Sequence, residues 1–326
     1  MGKSLDAAIN SINKKYGEKV VQKMSDSNSY DANTISSGRE SLNEILGGGY
    51  GIGKIIEIYS ENQCGKTGLV LEAIREVQLI GGNAAIIDVE HALNKEYCEK
   101  VGVDVDSLII SQPTHGEQAF EIMKALINSG EVDLVIVDSV ANMTPLGELN
   151  GESGESKMGL QARMMSQGLR MITAMTSEND CTVIFINQLR EKIGSFVTKK
   201  VTTGGNALPF YASQRLELKN KGFIKKGEEI TGFKQHIKVI KNKIGSPFKT
   251  ALYEIDYEEG FDKVSDIIDA LVSVGVLIKS GAYFKYKGKN IAHGKEKLLS
   301  LLKDDESLFN ELSKQLNLIL KNNINK

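Results

Sequence analysis

The chain has 326 residues, enough for one large domain with appendages or for two ordinary domains. Hydrophobic residues make up 41% and charged residues 25%, the usual balance of a globular protein that buries a core. The net charge of -2 argues against a protein that holds nucleic acid through overall positive charge. Any binding of a polyanion must therefore depend on local basic patches.

The three cysteines, Cys64, Cys98 and Cys181, are scattered and form no CxxC pair. This usage is typical of a reducing compartment and leaves no cysteine zinc site, so we expect a cytoplasmic protein. The polar N-terminus lacks the apolar stretch of a signal peptide. No apolar run reaches the length of about 18 residues that a membrane span needs.

The first predicted element is an amphipathic helix over residues 5–24, followed by a polar linker over residues 25–33. Apolar side chains recur along the helix at helical spacing: Leu5, Ala8, Ile9, Ile12 and Tyr16. On these residues alone, such a helix more often folds back on its own core than docks on another molecule.

Four short apolar runs rich in β-branched residues come next, and each is predicted to be a strand buried on both faces. These runs cover residues 54–59, 84–89, 134–137 and 182–186. Helical patterns alternate with them over residues 65–80, 116–129 and 159–177. The alternation predicts an α/β fold with a mostly parallel central sheet flanked by helices.

After residue 203 the apolar pattern changes to strict alternation, which predicts antiparallel strands. The alternating stretches cover residues 214–218, 235–240 and 250–255. Helical periodicity returns from residue 263, and a candidate hairpin over 282–289 and a final helix over 298–320 follow.

These patterns divide the chain into three predicted parts. An N-terminal segment covers residues 1–33, and an α/β core covers residues 34–262. A small C-terminal α+β domain covers residues 263–326.

The loop SENQCGKT joins the predicted strand over residues 54–59 to the predicted helix over residues 65–80. In such a loop, backbone N–H groups and the helix N-terminus hold phosphate oxygens, Lys66 reaches the terminal phosphates, and the Thr67 hydroxyl ligates Mg²⁺. The strict pattern is GxxxxGK[ST], and Ser60 stands where its first glycine belongs. A chance GKT is disfavoured by the strand–loop–helix context. The expected ligand is a nucleoside triphosphate with magnesium, held by Ser60, Glu61, Asn62, Gln63, Cys64, Gly65, Lys66 and Thr67.

Polar or acidic residues end three of the four predicted strands, and ligands of open α/β sheets bind at the carboxyl ends of strands. Asp138 suits the carboxylate that holds Mg²⁺ through water, although an Asp at this position can instead cap a helix. Glu90 can orient and deprotonate an attacking water, or it can make a structural hydrogen bond. The pattern leaves both roles of Glu90 open.

Longer stretches resemble bacterial-type RecA recombinases, in that family's order and spacing. They are TISSGRESLNEILGGGYGIGKIIEIY, IDVEHALN, SQPTHGEQA, VIVDSVANMTP, MGLQARMMSQGLR, FINQLREKIG, TTGGNALPFYAS and VIKNKIGSPF. The resemblance implies a RecA-like P-loop ATPase core. It also implies an ATP-dependent recombinase that forms a helical filament on single-stranded DNA, pairs it with homologous duplex and exchanges strands in repair and recombination.

The resemblance assigns roles by position. It makes Glu90 the catalytic glutamate, Tyr97 the aromatic residue that stacks on adenine, and Gln188 the residue that senses the γ-phosphate. Lys241 and Lys243 would reach the ATP of the adjacent subunit, where positive charge stabilises a transferring phosphoryl group. On the residues alone, these two lysines fit a solvated strand edge equally well.

Two loops are candidates for DNA binding, over residues 147–159 and 191–206. The first leads into a helix with a basic face, and the second ends in glycines that let backbone amides approach phosphates. An exposed basic helix face is usually only solvated, and the resemblance favours phosphate contacts here. The candidate contacts are Met158, Arg163, Ser166, Arg170, Lys192, Ile193, Gly204, Gly205 and Asn206.

A basic zone over residues 279–297 carries six lysines and one glutamate. Its hairpin, with Tyr283 and Tyr286 interleaved, is a candidate for capture of duplex DNA through Lys285, Lys287 and Lys289. A lysine-rich hairpin can also merely protect an edge strand.

Self-association is implied by the resemblance alone. The N-terminal segment would dock on a neighbouring subunit, with Phe210 packing across the interface, and a head-to-tail contact that does not close generates a helical filament. A LexA-type repressor is a candidate further partner, and no membrane is expected.

Two other classes of protein stay open at this point. One is a related P-loop motor or mediator, such as a hexameric helicase or a RadA-like protein, although the chain lacks the zinc finger and protease-like domain usual in the latter. The other is a DNA-binding filament protein with impaired hydrolysis, which Ser60 motivates. Asn94 also stands where the family often has Asp near the nucleotide.

Overall fold

The computed structural model describes residues 3–17, 20–23, 33–151, 159–191, 200–258 and 260–324. The chain divides into two compact units, residues 1–33 and residues 34–326. The first contains helix α1 (Lys3–Tyr16). This helix ends earlier than the predicted residue 24 because Gly17 adopts a φ of 119°, which a continuing helix does not allow. Nearly all of the predicted linker lies outside the described residues.

One mixed sheet forms the centre of the second unit, beside a small antiparallel pair of β1 (Thr34–Ile35) and β2 (Tyr50–Gly51). Its strands are β3 (Ile55–Ser60), β4 (Ala84–Asp88), β5 (Ile109–Ser111), β6 (Leu134–Asp138), β7 (Thr182–Glu191), β8 (Lys200–Thr202), β9 (Gln214–Lys226), β10 (Glu229–Asn242), β11 (Thr250–Asp256) and β12 (Gly260–Phe261). Across the part that the structure describes, the order is β12-β11-β10-β9-β3-β7-β6-β4-β5, and β8 pairs with β7.

Helices cover both faces of this sheet. They are α2 (Glu40–Leu46), α3 (Lys66–Leu79), α4 (Lys95–Val101), α5 (Gly116–Asn128), α6 (Leu146–Leu149), α7 (Leu160–Glu178) and α8 (Ala207–Tyr211). Along β6, Leu134 and Ile136 belong to the core on the α3 side, whereas Val135 and Val137 belong to the core on the side of α5 and α7. Burial on both faces explains the continuous apolar runs in the sequence.

The predicted α/β fold with a mostly parallel sheet is confirmed, since β9, β3, β7, β6, β4 and β5 all run parallel. The antiparallel strands predicted after residue 203 are also confirmed, because β9, β10 and β11 pair antiparallel in that order. Strand β9 in addition lies parallel to β3, since the chain reaches it by a crossover through α8. Strands β8, β10 and β12 run opposite to the parallel strands, whereas β11 runs in their direction. The three-residue strand β5 was not predicted.

The C-terminal part has its own antiparallel sheet and its own core. It contains α9 (Lys263–Ser273), β13 (Ile278–Ser280), β14 (Tyr283–Tyr286), β15 (Lys289–His293), α10 (Lys295–Asp304) and α11 (Glu306–Ile324). The single final helix expected over residues 298–320 was wrong. Asp305 interrupts it and caps α11, because its carboxylate accepts a hydrogen bond from the N–H of Leu308 at 2.9 Å. Among the described helices, none has the length and hydropathy of a membrane span.

A buried carboxylate joins α9 to the start of α2. Asp266 accepts hydrogen bonds from the N–H of Glu40 at 2.5 Å and from the N–H and hydroxyl of Ser41. Burial raises the pKa of Asp266 from 3.8 to about 6, against the opposing effect of these donors and of Arg39. The charged form of this residue is therefore less favourable in the folded state than in the unfolded state.

This shift predicts a pH dependence of stability. The contribution of a group with a raised folded-state pKa is full below its unfolded pKa and is lost as the pH rises through the folded value. The stability of the unsubstituted chain relative to Asp266→Asn should thus fall between about pH 4 and about pH 7. Urea unfolding of both proteins across this range measures the difference, and parallel curves would contradict the expectation.

Candidate nucleotide site and nucleic-acid interface

A cavity of about 600 Å³ opens at the carboxyl edge of the parallel strands. Residues predicted from four separate stretches of sequence meet there, because parallel strands deliver their following loops to the same edge. The lining residues are Asn62, Gln63, Cys64, Gly65, Lys66, Thr67, Gly68, Glu90, Tyr97, Asp138, Asn142, Gln188 and Arg190. Ser60 is fully buried at the end of β3, and Glu61 is exposed.

The phosphate-binding loop wraps around the start of α3. Gln63 and Gly65 adopt φ values of 55° and 75°, the left-handed conformation that lets the loop turn inward. Helix α3 begins at Lys66, so its first N–H groups are free of intrahelical partners and face the loop. A helix N-terminus behind such a loop favours bound anions.

Lys66 is already engaged within the loop. Its Nζ donates hydrogen bonds to Ser60 Oγ at 2.8 Å and to the carbonyl oxygen of Glu61 at 3.1 Å. Burial lowers the pKa of Lys66, and the nearby Cys64 and acidic groups oppose this effect. Ser60, which replaces the first glycine of the pattern, therefore holds the lysine that a phosphate must recruit.

Thr67 and Asp138 form a pair of hard oxygen ligands. Thr67 Oγ1 donates to Asp138 Oδ2 at 3.0 Å, and Asp138 is only 8% exposed. Burial raises the pKa of Asp138 to about 6, and the negative charges of Glu90 and Asp88 contribute in the same direction. A hydroxyl beside a desolvated carboxylate fits a divalent cation such as Mg²⁺, whose charge would offset this cost.

Glu90 and Gln188 reach the same cavity from the ends of β4 and β7, the strands on either side of β6. The N–H of Glu90 donates to the carbonyl oxygen of Asp138 at 3.1 Å, while its side chain stays exposed. Gln188 is 9% exposed, and its Oε1 accepts a hydrogen bond from Arg190 at 2.5 Å. Sequence reasoning missed Arg190 and Asn142. The signal for Arg190 was its place two residues after Gln188, on the same side of β7.

Hydrogen bonds connect this edge to the second candidate DNA loop. Asn187 donates to the carbonyl oxygen of Thr203 at 3.1 Å and accepts from the Thr203 hydroxyl at 2.6 Å. The same Asn187 amide donates to Glu57 of β3 at 2.9 Å. The residue beside Gln188 thus fixes the chain where that loop ends.

Gln161 holds the ends of both candidate DNA loops together. Its amide donates to the carbonyl oxygen of Val140 at 2.9 Å and accepts from the N–H of Gly204 at 3.2 Å. Gly205 lies so close to Ala162 that a Cβ would meet the Ala162 methyl at 2.8 Å. The start of α7 and the end of the second loop are therefore neighbours, a contact that the sequence did not indicate.

Some of the candidate DNA contacts lie among the described residues and others lie outside them. Arg163 and Arg170 are exposed on α7, while Met165 and Leu169 are buried, as the helical pattern predicted. Ser166 is half-buried on the same basic face. Gly205 and Asn206 are exposed, whereas Gly204 is buried. The remaining candidates lie outside the described residues: Met158, Lys192 and Ile193.

Lys241 and Lys243 do not line the cavity of their own chain. Lys241 Nζ instead donates to the carbonyl oxygens of Pro209 and Phe210, each at 2.9 Å. Lys243 is exposed, and the Phe210 side chain is 77% exposed. A large exposed aromatic residue therefore lies beside Lys241.

A second cavity of about 520 Å³ adjoins the phosphate-binding loop. Tyr97 lines both cavities and is 43% exposed. Phe233 and Tyr257, whose ring centroids are 6.0 Å apart, also line the second cavity. Asn94 caps the helix that carries Tyr97, since its side chain accepts from the Tyr97 N–H at 2.9 Å. The exposed ring of Tyr97 suits stacking on a flat base.

The basic C-terminal hairpin is arranged differently from the expectation. Tyr286 is buried at 8% exposure because its ring belongs to the C-terminal core, so it does not share the exposed surface of the lysines with which it is interleaved in sequence. Lys287 is paired with Glu311 at 2.7 Å. Tyr283 and Lys289 are exposed.

The chain matches two family models, the RecA N-terminal domain over residues 3–262 and the RecA C-terminal domain over residues 265–321. It is 46% identical to Protein RecA of Chloroherpeton thalassium over 316 residues, which cover 96% of this chain and 88% of that protein. It is 47% identical to Protein RecA of Thioalkalivibrio sulfidiphilus over 317 residues, which cover 96% of this chain and 92% of that protein.

The bond between Ser60 and Lys66 leads to a prediction about affinity. Ser60→Ala removes a hydrogen bond that competes with phosphate for Lys66, so the affinity for Mg-ATP should rise about two- to ten-fold. Ser213→Ala, a buried serine near the amino end of β3, is the control. Titration with a fluorescent nucleotide measures both, and unchanged or weaker binding by Ser60→Ala alone would contradict the expectation.

Proposed function

The chain belongs to the RecA family, DNA-dependent ATPases of homologous recombination and repair, and we propose that its ATPase site is shared between two subunits of a filament. As a RecA protein it binds ATP and DNA and assembles with copies of itself. The observation that supports the site assignment is the single cavity that unites Lys66, Thr67, Glu90, Asp138 and Gln188.

ATP would bind with its phosphates on the loop 60–67 and its adenine against Tyr97. The loop N–H groups and Lys66 would hold the phosphate oxygens, after Lys66 has exchanged its bond to Ser60 for one to phosphate. Thr67 and Asp138 would hold Mg²⁺, directly and through water. When bound, Mg²⁺ supplies the positive charge that neutralises the β- and γ-phosphate oxygens.

Hydrolysis would proceed by attack of water on the γ-phosphorus. Glu90 would orient this water and accept its proton, while the bond to the leaving ADP oxygen breaks. Gln188 would contact the γ-phosphate and transmit its presence to the second DNA loop through Asn187 and Thr203. The bond from Arg190 to Gln188 supports a fixed orientation of that amide.

A neighbouring subunit would complete the site with Lys241 and Lys243. Neither lysine lines the cavity of its own chain, and Lys241 contacts the backbone of the exposed Phe210, which suits an interface. Exposed apolar side chains of α1, among them Leu5, Ile12 and Tyr16, suit docking of the segment 1–33 on that neighbour.

Single-stranded DNA would lie along the loops 147–159 and 191–206 of the core 34–262. The exposed Arg163 and Arg170 would contact phosphates, together with Ser166 and the amides of Gly204, Gly205 and Asn206. Met158, Lys192 and Ile193 are proposed as contacts from their positions in these loops.

Three further assignments rest mainly on the family. The domain 263–326 would capture duplex DNA, and a LexA-type repressor would be a partner of the filament. The three cysteines are free and buried, which fits a reducing compartment, so we place the protein in the cytoplasm. The RecA matches over both domains favour this reading over a helicase or a RadA-like protein.

Turnover in the presence of DNA tests this proposal. Single-stranded DNA should stimulate ATP hydrolysis, and Lys66→Ala should lower the stimulated rate by about a hundred-fold or more, because it removes a charge that holds the γ-phosphate. Lys124→Ala, an exposed lysine of α5, is the control. A folded protein that binds ATP but shows neither DNA-stimulated turnover nor strand exchange would contradict the proposal.

Because Lys287 is paired with Glu311, duplex capture can be tested by variants that should weaken binding and by one that should strengthen it. Replacing Lys285, Lys287 and Lys289 with Ala should weaken duplex binding and lower its dependence on salt, by up to about three units of the log–log slope. Glu311→Gln should strengthen binding, since it frees Lys287 and keeps a partner for Tyr286. Unchanged binding by all variants across a salt series would contradict this role.

A further inference from the structure

The phosphate-binding loop is held from outside by a buried amide that no part of the proposed mechanism uses. Gln235 of β10 is fully buried, and its Nε2 donates a hydrogen bond to the carbonyl oxygen of Cys64 at 2.5 Å. Gln235 lines the second cavity and not the first, so it contacts the loop outside the proposed phosphate position.

The two partners of Gln235 fix the orientation of its amide. Arg39 donates to Gln235 Oε1 at 2.6 Å and has no acceptor, whereas the carbonyl of Cys64 can only accept. If the amide were flipped, its NH₂ group would face the Arg39 guanidinium and its oxygen would face the Cys64 carbonyl oxygen. Neither hydrogen bond could then form. A group at this position must therefore accept from a guanidinium and donate to a carbonyl at once.

Arg39 is itself held rigidly. Its guanidinium forms a buried ion pair with Glu72 of α3, with distances of 2.6 and 3.0 Å. Its carbon Cζ lies 4.7 Å from the ring centroid of Tyr253 and 4.3 Å from that of Phe261. Glu72 belongs to α3, the helix that begins in the loop. The series of hydrogen bonds from Cys64 through Gln235 and Arg39 therefore ends on the helix that follows the loop.

The hydrogen bond to Cys64 also orients the next amide. The peptide bond between Cys64 and Gly65 is trans and planar, so the N–H of Gly65 points opposite to the carbonyl that Gln235 holds. Gly65 lines the first cavity. The close approach requires glycine, because a Cβ at this position would lie 2.5 Å from Gln235 Nε2.

We infer that Gln235 is a positioning residue for the nucleotide, which fixes the Gly65 N–H toward the phosphates and is itself fixed by Arg39 and Glu72. This inference rests on the proposed function of the loop as the phosphate site. Gln235 contributes no contact to ATP phosphates. By holding one peptide plane in place, it lowers the conformational entropy that the loop would otherwise lose when phosphate binds. Its effect therefore appears in the affinity for phosphate groups.

Gln214 provides a matched control within the same sheet. It is also fully buried, accepts from the N–H of Gly51 at 3.0 Å and donates to the carbonyl of Gly49 at 3.1 Å. It performs this bridging near the amino end of β3, away from both cavities. Loss of either glutamine therefore removes comparable hydrogen bonds, but only Gln235 touches the loop.

The test compares Gln235→Met, Gln235→Glu and Gln214→Met in the full chain. Binding of Mg-ATP, Mg-ADP and adenosine is measured by competition with a fluorescent nucleotide, together with KM and kcat of DNA-stimulated turnover and thermal unfolding. Gln235→Met should weaken ATP and ADP binding about ten-fold and raise KM more than it lowers kcat. Adenosine binding, which lacks phosphates, should stay within about two-fold of the original.

Gln214→Met should lower thermal stability to a similar extent without this loss of affinity. Gln235→Glu keeps the acceptor for Arg39 and loses only the donor to Cys64, so it should reproduce the affinity loss even if Gln235→Met folds poorly. Equal losses for ATP and adenosine, or equal losses in the Gln235 and Gln214 variants, would overturn the inference. Absence of ATP binding by the unsubstituted chain would instead overturn the proposed function itself.

Discussion

Parallel pairing fixes how far each central strand extends along the sheet relative to its neighbours, and the candidate nucleotide site depends on this constraint. Ser60 at the end of β3 lies opposite Gln188 of β7, and Asp88 of β4 lies opposite Asp138 of β6. Both faces of these strands are closely packed, so a shift of register would disturb two cores at once. Asp138 and Gln188, distant in sequence, thus reach one cavity directly from the ends of their strands.

The same pairing brings the candidate nucleotide site within hydrogen-bonding distance of the candidate DNA loops. Asn187 precedes Gln188 on β7, and its amide bonds both Glu57 of β3 and the carbonyl of Thr203. A change at Gln188 is therefore one residue away from the point that anchors the second loop. Gln161 extends the connection to α7, which carries the basic face. Short hydrogen-bonded steps of this kind suit a protein in which DNA and ATP regulate each other.

The sequence predicted the elements whose signals are local. The GKT at a helix start and the strand-ending Asp138 follow from patterns of a few residues, as does the buried side of α7. The missed features join residues far apart along the chain, such as Gln235 with Cys64 and Gln161 with Gly204. The break between α10 and α11 at Asp305 is also local, but it was missed because the apolar pattern continues through it. Only the side chain of Asp305, which caps α11, separates the two helices.

The central claim, a site completed by a neighbour, is tested most directly by mixing two variants. Glu90→Gln lacks the proposed general base, and the double variant Lys241→Ala with Lys243→Ala lacks the charges supplied to the adjacent site. Each alone should lack DNA-stimulated turnover. Random co-assembly in equal amounts restores one interface in four, so about a quarter of the original rate should return. A mixture as inactive as its components, with filaments formed, would contradict the shared site.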